Sequence, residues 1–271
     1  MLAALPFTRQ GLFFGRLLDT LVPRLRRIGL ANLSRAGFAH PHQILDGVFA
    51  SIGRLLYSFA YLPSLNRDNI HHWIEYDGFE HYAAAKARGR GVLFATGHLG
   101  NWELSAIAHS LLTEPMGVVV RPLDNPLLDS LVAQRRSATG NWVIEKKDFA
   151  RGILRALADN LAVGVLVDQN AATGEGVFVD FFGTPASTTT VFAKIAHRAQ
   201  TTVLPGFALW HPDRQKYILK FYPPVELSGD PLTDTQRIQS AVELAIRQFP
   251  DQWLWIHRRW KTRPPGEPPL Y

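Results

Sequence analysis

From Gly89 onward, short apolar runs that end in polar residues alternate with stretches of helical periodicity. GVLFATGH (91–98) precedes NWELSAIAHSLL, and MGVVVRP (116–122) precedes NPLLDSLVAQRRSA. NWVIEKK (141–147) precedes FARGILRALADN, and LAVGVLVDQN (161–170) follows. Continuous apolar runs belong to strands buried on both faces, and strands separated by helices pair in parallel. The pattern predicts an α/β fold, with a mainly parallel central sheet flanked by helices and an N-terminal helical extension. TTVLPGFALW (201–210) and KYILKFYPPVEL (216–227) read as an antiparallel hairpin, and DTQRIQSAVELAIRQF reads as a last helix. The segment WLWIHRRWKTRPPG that follows reads as a terminal strand, with His257 packed in it. Pro41 and Pro63 punctuate a helical region over 1–75, ahead of the α/β domain at 76–271.

The chain has no cysteine, which excludes a disulfide framework, a thiol nucleophile and any Cys-based metal site. Its formal net charge of +6 favours an anionic partner: nucleic acid, an acidic protein or a membrane surface. No uninterrupted apolar run near the N-terminus reaches the roughly 20 residues a spanning helix needs, and no secretory signal is expected. Leu12, Phe13, Leu17, Leu18 and Leu21 can share one helical face beside Arg9, Arg16, Arg24, Arg26 and Arg27. Such a segment either lies in a membrane interface or packs as an ordinary amphipathic helix on its own domain.

Ligands of open α/β sheets gather beyond the carboxyl ends of the strands. The polar residues there are His98 after GVLFATG, Arg121 after MGVVV and Asp168 after LAVGVLV. His98 and Glu103 frame HLGNWE across a strand-to-helix turn, with Asn101 as the expected helix N-cap. Glu103 then lies in the first helical turn, where it can turn back toward His98. A carboxylate on one imidazole nitrogen fixes the tautomer and raises the basicity of the other. With no cysteine and no G-x-S-x-G elbow, that imidazole suits activation of a substrate hydroxyl. The same spacing also fits a structural histidine beside a helix cap.

GHLGNWE (97–103) resembles the His-x4-acid motif of the glycerolipid acyltransferase superfamily, in the wording of the lipid A biosynthesis (lauroyl/myristoyl) acyltransferases. The resemblance runs from about Gly89 to Pro264. It continues through RPLDNPLLD (121–129) with Arg135 and Arg136 behind it, VLVDQN (165–170), VFVDFFGTPASTTT (177–190) and WIHRRWKTRP (255–264). It implies a catalytic His98–Glu103 pair, with Arg136 and Asp168 as further required polar residues. It also implies that Phe182 and Gly183 belong to a loop lining the acyl or acceptor pocket. Arg121 and Asn101 complete the expected substrate-binding set.

The resemblance further implies transfer of a fatty acyl group from a thioester to a hydroxyl of a lipid A precursor. The expected donor is acyl carrier protein or acyl-CoA; the runner-up acceptor is a phosphatidylinositol mannoside or another glycolipid. A non-catalytic lipid-binding protein on the same fold is the alternative from another class. Neither metal nor bound cofactor is needed for this chemistry, and adjacent His71 and His72 carry no ligand constellation. Arg258, Arg259, Lys261 and Arg263 interleave with tryptophans, a pattern shared by single-strand binders and membrane interfaces. With no helix-turn-helix, zinc-finger or RNP string, no nucleic acid is expected. The expected location is the cytoplasmic face of the inner membrane, held peripherally by residues 1–75.

Overall fold

The computed structural model describes residues 6–120, 124–145 and 149–271, with side chains from residue 11. Three helices open it: α1 (Pro6–Leu21), α2 (Pro23–Arg35) and α3 (Pro41–Tyr61). The α/β part then runs β1 (Ile74–Asp77), α4 (Phe79–Ala87), β2 (Val92–Thr96), α5 (Trp102–Leu112), β3 (Gly117–Val120), α6 (Pro126–Ser137), β4 (Trp142–Glu145), α7 (Phe149–Ala158) and β5 (Ala162–Leu166). It ends with β6 (Val177–Phe181), β7 (Thr184–Thr188), α8 (Val191–Ala199), β8 (Thr202–His211), β9 (Lys216–Phe221) and α9 (Pro231–Gln248).

Among the described residues, seven strands form one sheet in the order β1-β9-β8-β2-β5-β3-β4. Every neighbouring pair is parallel except β8–β9, the hairpin expected from the sequence. The α/β reading therefore holds, and helices α1–α3 form the N-terminal segment. β1 and the separate β6–β7 hairpin are additions, because four and five residues of mixed polarity carry little period-2 signal. The expected terminal strand is absent. Residues 253–262 run as turns, joined to the sheet side by an isolated bridge between Trp253 and Leu99.

That terminal segment is nonetheless core. Trp253, Trp255 and Trp260 are fully buried and share one apolar cluster with Phe181, Phe207 and Val242. Leu33, Leu45 and Phe49 from α2 and α3 belong to the same cluster, so the N-terminal helices and the sheet domain bury surface against each other.

Helix α1 docks unusually. Gly11 and Gly15 face Gly53 and Phe49 of α3 so closely that a Cβ on Gly53 would meet the Gly11 carbonyl at 1.8 Å. Backbone contact on that side leaves Leu12, Phe13, Phe14, Leu17 and Leu21 exposed on the other. Leu18 alone of the expected apolar stripe packs against the core. No helix among the described residues is long and apolar enough to cross a membrane.

Candidate active site

β2 and β5 are neighbours in register, with Thr96 opposite Leu166. His98 and Asp168 each lie two residues beyond that pair, so the sheet delivers both to one point past its carboxyl edge. The ladder extends one further bond, from Val167 N–H to the Thr96 carbonyl at 2.9 Å.

The turn from β2 to α5 is built on close approaches. A Cβ on Gly97 would sit 3.0 Å from Asp168 Oδ2, and one on Gly100 would sit 1.9 Å from the Ala208 carbonyl. Gly100 also has φ +69°, a region that glycine alone enters cheaply. Asn101 caps α5 as expected, accepting from Leu104 N–H at 3.0 Å, and its amide donates to Ser58 Oγ at 2.7 Å. It is fully buried, so its bonds hold the turn and do not face a ligand.

Asp168 is fully buried and engages His98 twice. Oδ2 accepts the His98 backbone N–H at 2.7 Å, and Oδ1 lies 2.9 Å from Nδ1. Trp253 Nε1 donates to Oδ2 at 2.8 Å. Burial alone would raise the Asp168 pKa, but the His98 charge and these bonds outweigh it and hold the carboxyl well below the usual range. For His98, burial works downward, while the charge and hydrogen bond of Asp168 win and raise its pKa; Glu103 adds to the rise and Arg136 opposes it. An ionised Asp168 can only accept, so Nδ1 carries the proton and Nε2 presents a lone pair.

The expectation that Glu103 bonds the imidazole is corrected by this geometry. Glu103 instead takes a two-point grip from Arg136, Nε to Oε2 at 2.8 Å and Nη2 to Oε1 at 2.5 Å. A carboxylate in the first turn of α5 points past the imidazole toward α6, where the planar guanidinium matches it. Arg136 thus holds Glu103 while lining the same cavity, and the adjacent Arg135 does not share the contact.

Phe182 and Gly183 are also relocated. They form the two-residue turn between β6 and β7, with φ +56° and +71°, the signature of a type I′ hairpin. Phe182 is buried against Trp255 and Phe38, with Arg247 over its ring at 4.6 Å, and does not line the cavity beside His98. Arg121 lies outside the described residues.

A narrow, mainly apolar cavity runs between α5 and the sheet. Trp102, Glu103 and Arg136 line it next to His98, whose ring meets that of Trp102 edge-on at 4.9 Å. Farther in, the walls are Phe94, Met116 and Phe221, which pack close over Gly164 and Gly206 of the sheet. His109, two turns along α5 from Trp102, closes one side; burial pushes its imidazole down to about 4, so it is neutral there. Sequence reasoning missed Trp253, whose contact with Asp168 spans 85 residues, and Gln169, whose only signal was its place beside Asp168.

A base fixed by a buried carboxylate, opening beside an apolar slot, suits chemistry on a hydroxyl near an aliphatic chain. A profile of the bacterial lipid A biosynthesis acyltransferases matches residues 2–262. The chain belongs to that family. Among similar proteins, a lipid A biosynthesis acyltransferase of Haemophilus influenzae is 25% identical over 276 residues, covering 98% of this chain and 86% of its own. The lipid A biosynthesis lauroyltransferase of Escherichia coli is 33% identical over 204 residues, 73% of this chain and 65% of its own. The myristoyltransferase of the same organism is 24% identical over 265 residues, 96% and 81% of the two chains. In this member of the lipid A acyltransferase family, the His-x4-Glu spacing is intact while the hydrogen bond to the histidine comes from the strand beside it.

Proposed function

We propose that the protein transfers a fatty acyl group from a thioester, carried by acyl carrier protein, to a hydroxyl of a lipid A precursor. Family membership supports acyl transfer onto lipid A. The observation that carries the mechanism is the Asp168–His98 pair beside the apolar cavity, with Nε2 left as the basic nitrogen on the side away from Asp168. The acyl tail occupies the cavity and places its thioester carbonyl by Nε2. The acceptor hydroxyl gives its proton to Nε2 as its oxygen attacks that carbonyl; collapse breaks the C–S bond, and the thiolate takes the proton back. Asp168 orients the ring and stabilises the imidazolium. Glu103, fixed by Arg136, adds negative potential from the cavity wall. The transfer is direct, with no acyl-enzyme.

The exposed apolar face of α1, with Arg16 exposed on the same helix, supports peripheral attachment to an anionic membrane. The cytoplasmic face of the inner membrane is where both the donor and this acceptor are proposed to meet the enzyme.

The test incubates the protein with acyl carrier proteins of several chain lengths and a lipid A precursor, and identifies acylated lipid by mass. His98→Ala should lower the rate by about 100-fold or more. Near-normal turnover in that variant removes His98 from the mechanism, and a kinetically competent acyl adduct on the intact protein contradicts direct attack.

A further inference from the structure

The attack leaves a negative charge on the thioester oxygen, and several donors of the turn beside His98 are already engaged elsewhere. The His98 N–H is held by Asp168, the Gly100 N–H donates to the Gln252 carbonyl at 3.0 Å, and the Asn101 N–H donates to the Ala208 carbonyl at 2.8 Å. Arg136 turns Nε and Nη2 onto Glu103. Three of the backbone N–H groups over 97–101, the natural first choice in a strand-to-helix turn, are therefore engaged in holding the turn itself.

Gln169 is differently placed. It follows Asp168 directly, its side chain is exposed, and its Nε2 lies 3.3 Å from His98 Nε2. Because His98 Nε2 is an acceptor in the tautomer that Asp168 imposes, the amide meets it with its nitrogen, donating. The N–H thus occupies the place that the acceptor hydroxyl must take before it can be deprotonated.

We propose that Gln169 is a catalytic residue, its side-chain amide donating to the thioester oxyanion. This rests on the reading of His98 as the general base. When the acceptor hydroxyl claims Nε2, the displaced amide is freed within a few ångströms of the reacting carbon. As the hydroxyl proton moves to Nε2 and the new C–O bond forms, the carbonyl π pair becomes the oxygen charge that the amide N–H meets. When the C–S bond breaks, the carbonyl re-forms and the proton leaves Nε2 for the thiolate. In its resting position the same amide satisfies the free nitrogen of the base.

The experiment measures transfer kinetics of full-length Gln169→Leu and Gln169→Glu beside His98→Ala, with thermal midpoints and binding of a non-reactive thioether analogue of the donor. Loss of an oxyanion donor predicts kcat down by about 100-fold, with KM, analogue affinity and thermal midpoint close to wild type. A kcat within about threefold of wild type in Gln169→Leu, while His98→Ala is inactive, overturns the Gln169 role and leaves the base reading standing. A rise in KM with kcat unchanged also overturns it, since that marks binding common to ground and transition states. An active His98→Ala overturns both.

Discussion

Asp168 grips His98 at two atoms, the backbone N–H and the ring Nδ1, from a position that Trp253 pins through a hydrogen bond to Oδ2. The imidazole is consequently fixed in tautomer and orientation by one carboxylate, which also raises its basicity. Asp168→Asn keeps the shape and removes the charge. Its rate should fall by about 100-fold or more. The pH profile gives a second readout. Asp168 raises the His98 pKa, and only neutral His98 can act as base, so wild-type kcat/KM falls as pH drops through that raised value. In Asp168→Asn the acid limb should move to lower pH; a limb that stays in place would show that Asp168 does not set the basicity of His98.

Glu103 and Arg136 act on the His98 imidazole with opposite signs. Removing the anion with Glu103→Gln should shift the acid limb down, and removing the cation with Arg136→Met should shift it up. Because the two side chains share a two-point contact, the double variant should be non-additive by about 1–3 kcal/mol in transition-state free energy. Additive losses would mean that the pair is not a unit.

Two buried histidines make folding stability depend on pH. Burial pushes both His109 and His257 down to about 4, below the value near 6.5 of the unfolded chain. Between those values the unfolded state binds more protons, so stability rises with pH across the window and falls as the pH is lowered through it. Each imidazole should cost about 2 kcal/mol by pH 5 relative to pH 7. Urea unfolding at the two pH values, with His109→Gln and His257→Gln beside wild type, isolates the part of each ring from that of His98, whose raised pKa acts in the opposite direction; each variant should give a shallower dependence. A wild-type pH dependence retained in full by both variants would place both rings in contact with water.

Attachment through α1 predicts sensitivity to both salt and side chain. Phe13→Ser with Leu17→Ser and Leu21→Ser removes apolar area from the exposed face without touching the glycine contacts to α3. Binding to anionic vesicles should weaken in this variant, and should weaken in wild type as ionic strength rises. Sedimentation with vesicles measures both. Retention of the triple variant at high salt would assign attachment to another surface.

The sequence by itself determined the frame. Runs such as GVLFATG and LAVGVLV are apolar on both faces, and only strands in the middle of a parallel sheet bury both. Ending in His98 and Asp168, they marked the functional edge before any pairing was known, and Asn101 announced the start of α5 by its side-chain chemistry alone. The tertiary structure decided which carboxylate serves the histidine. Proximity in sequence favoured Glu103, five residues away, but strand order puts β5 beside β2, and equal offsets from one registered pair bring Asp168 to His98 across 70 residues. Glu103 is left to a guanidinium on α6 for the same reason, and Phe182 is drawn from the expected pocket into a hairpin turn by core packing. Local pattern fixes which face of an element is buried; which residues meet across elements is set by sheet order, and no window of sequence contains it.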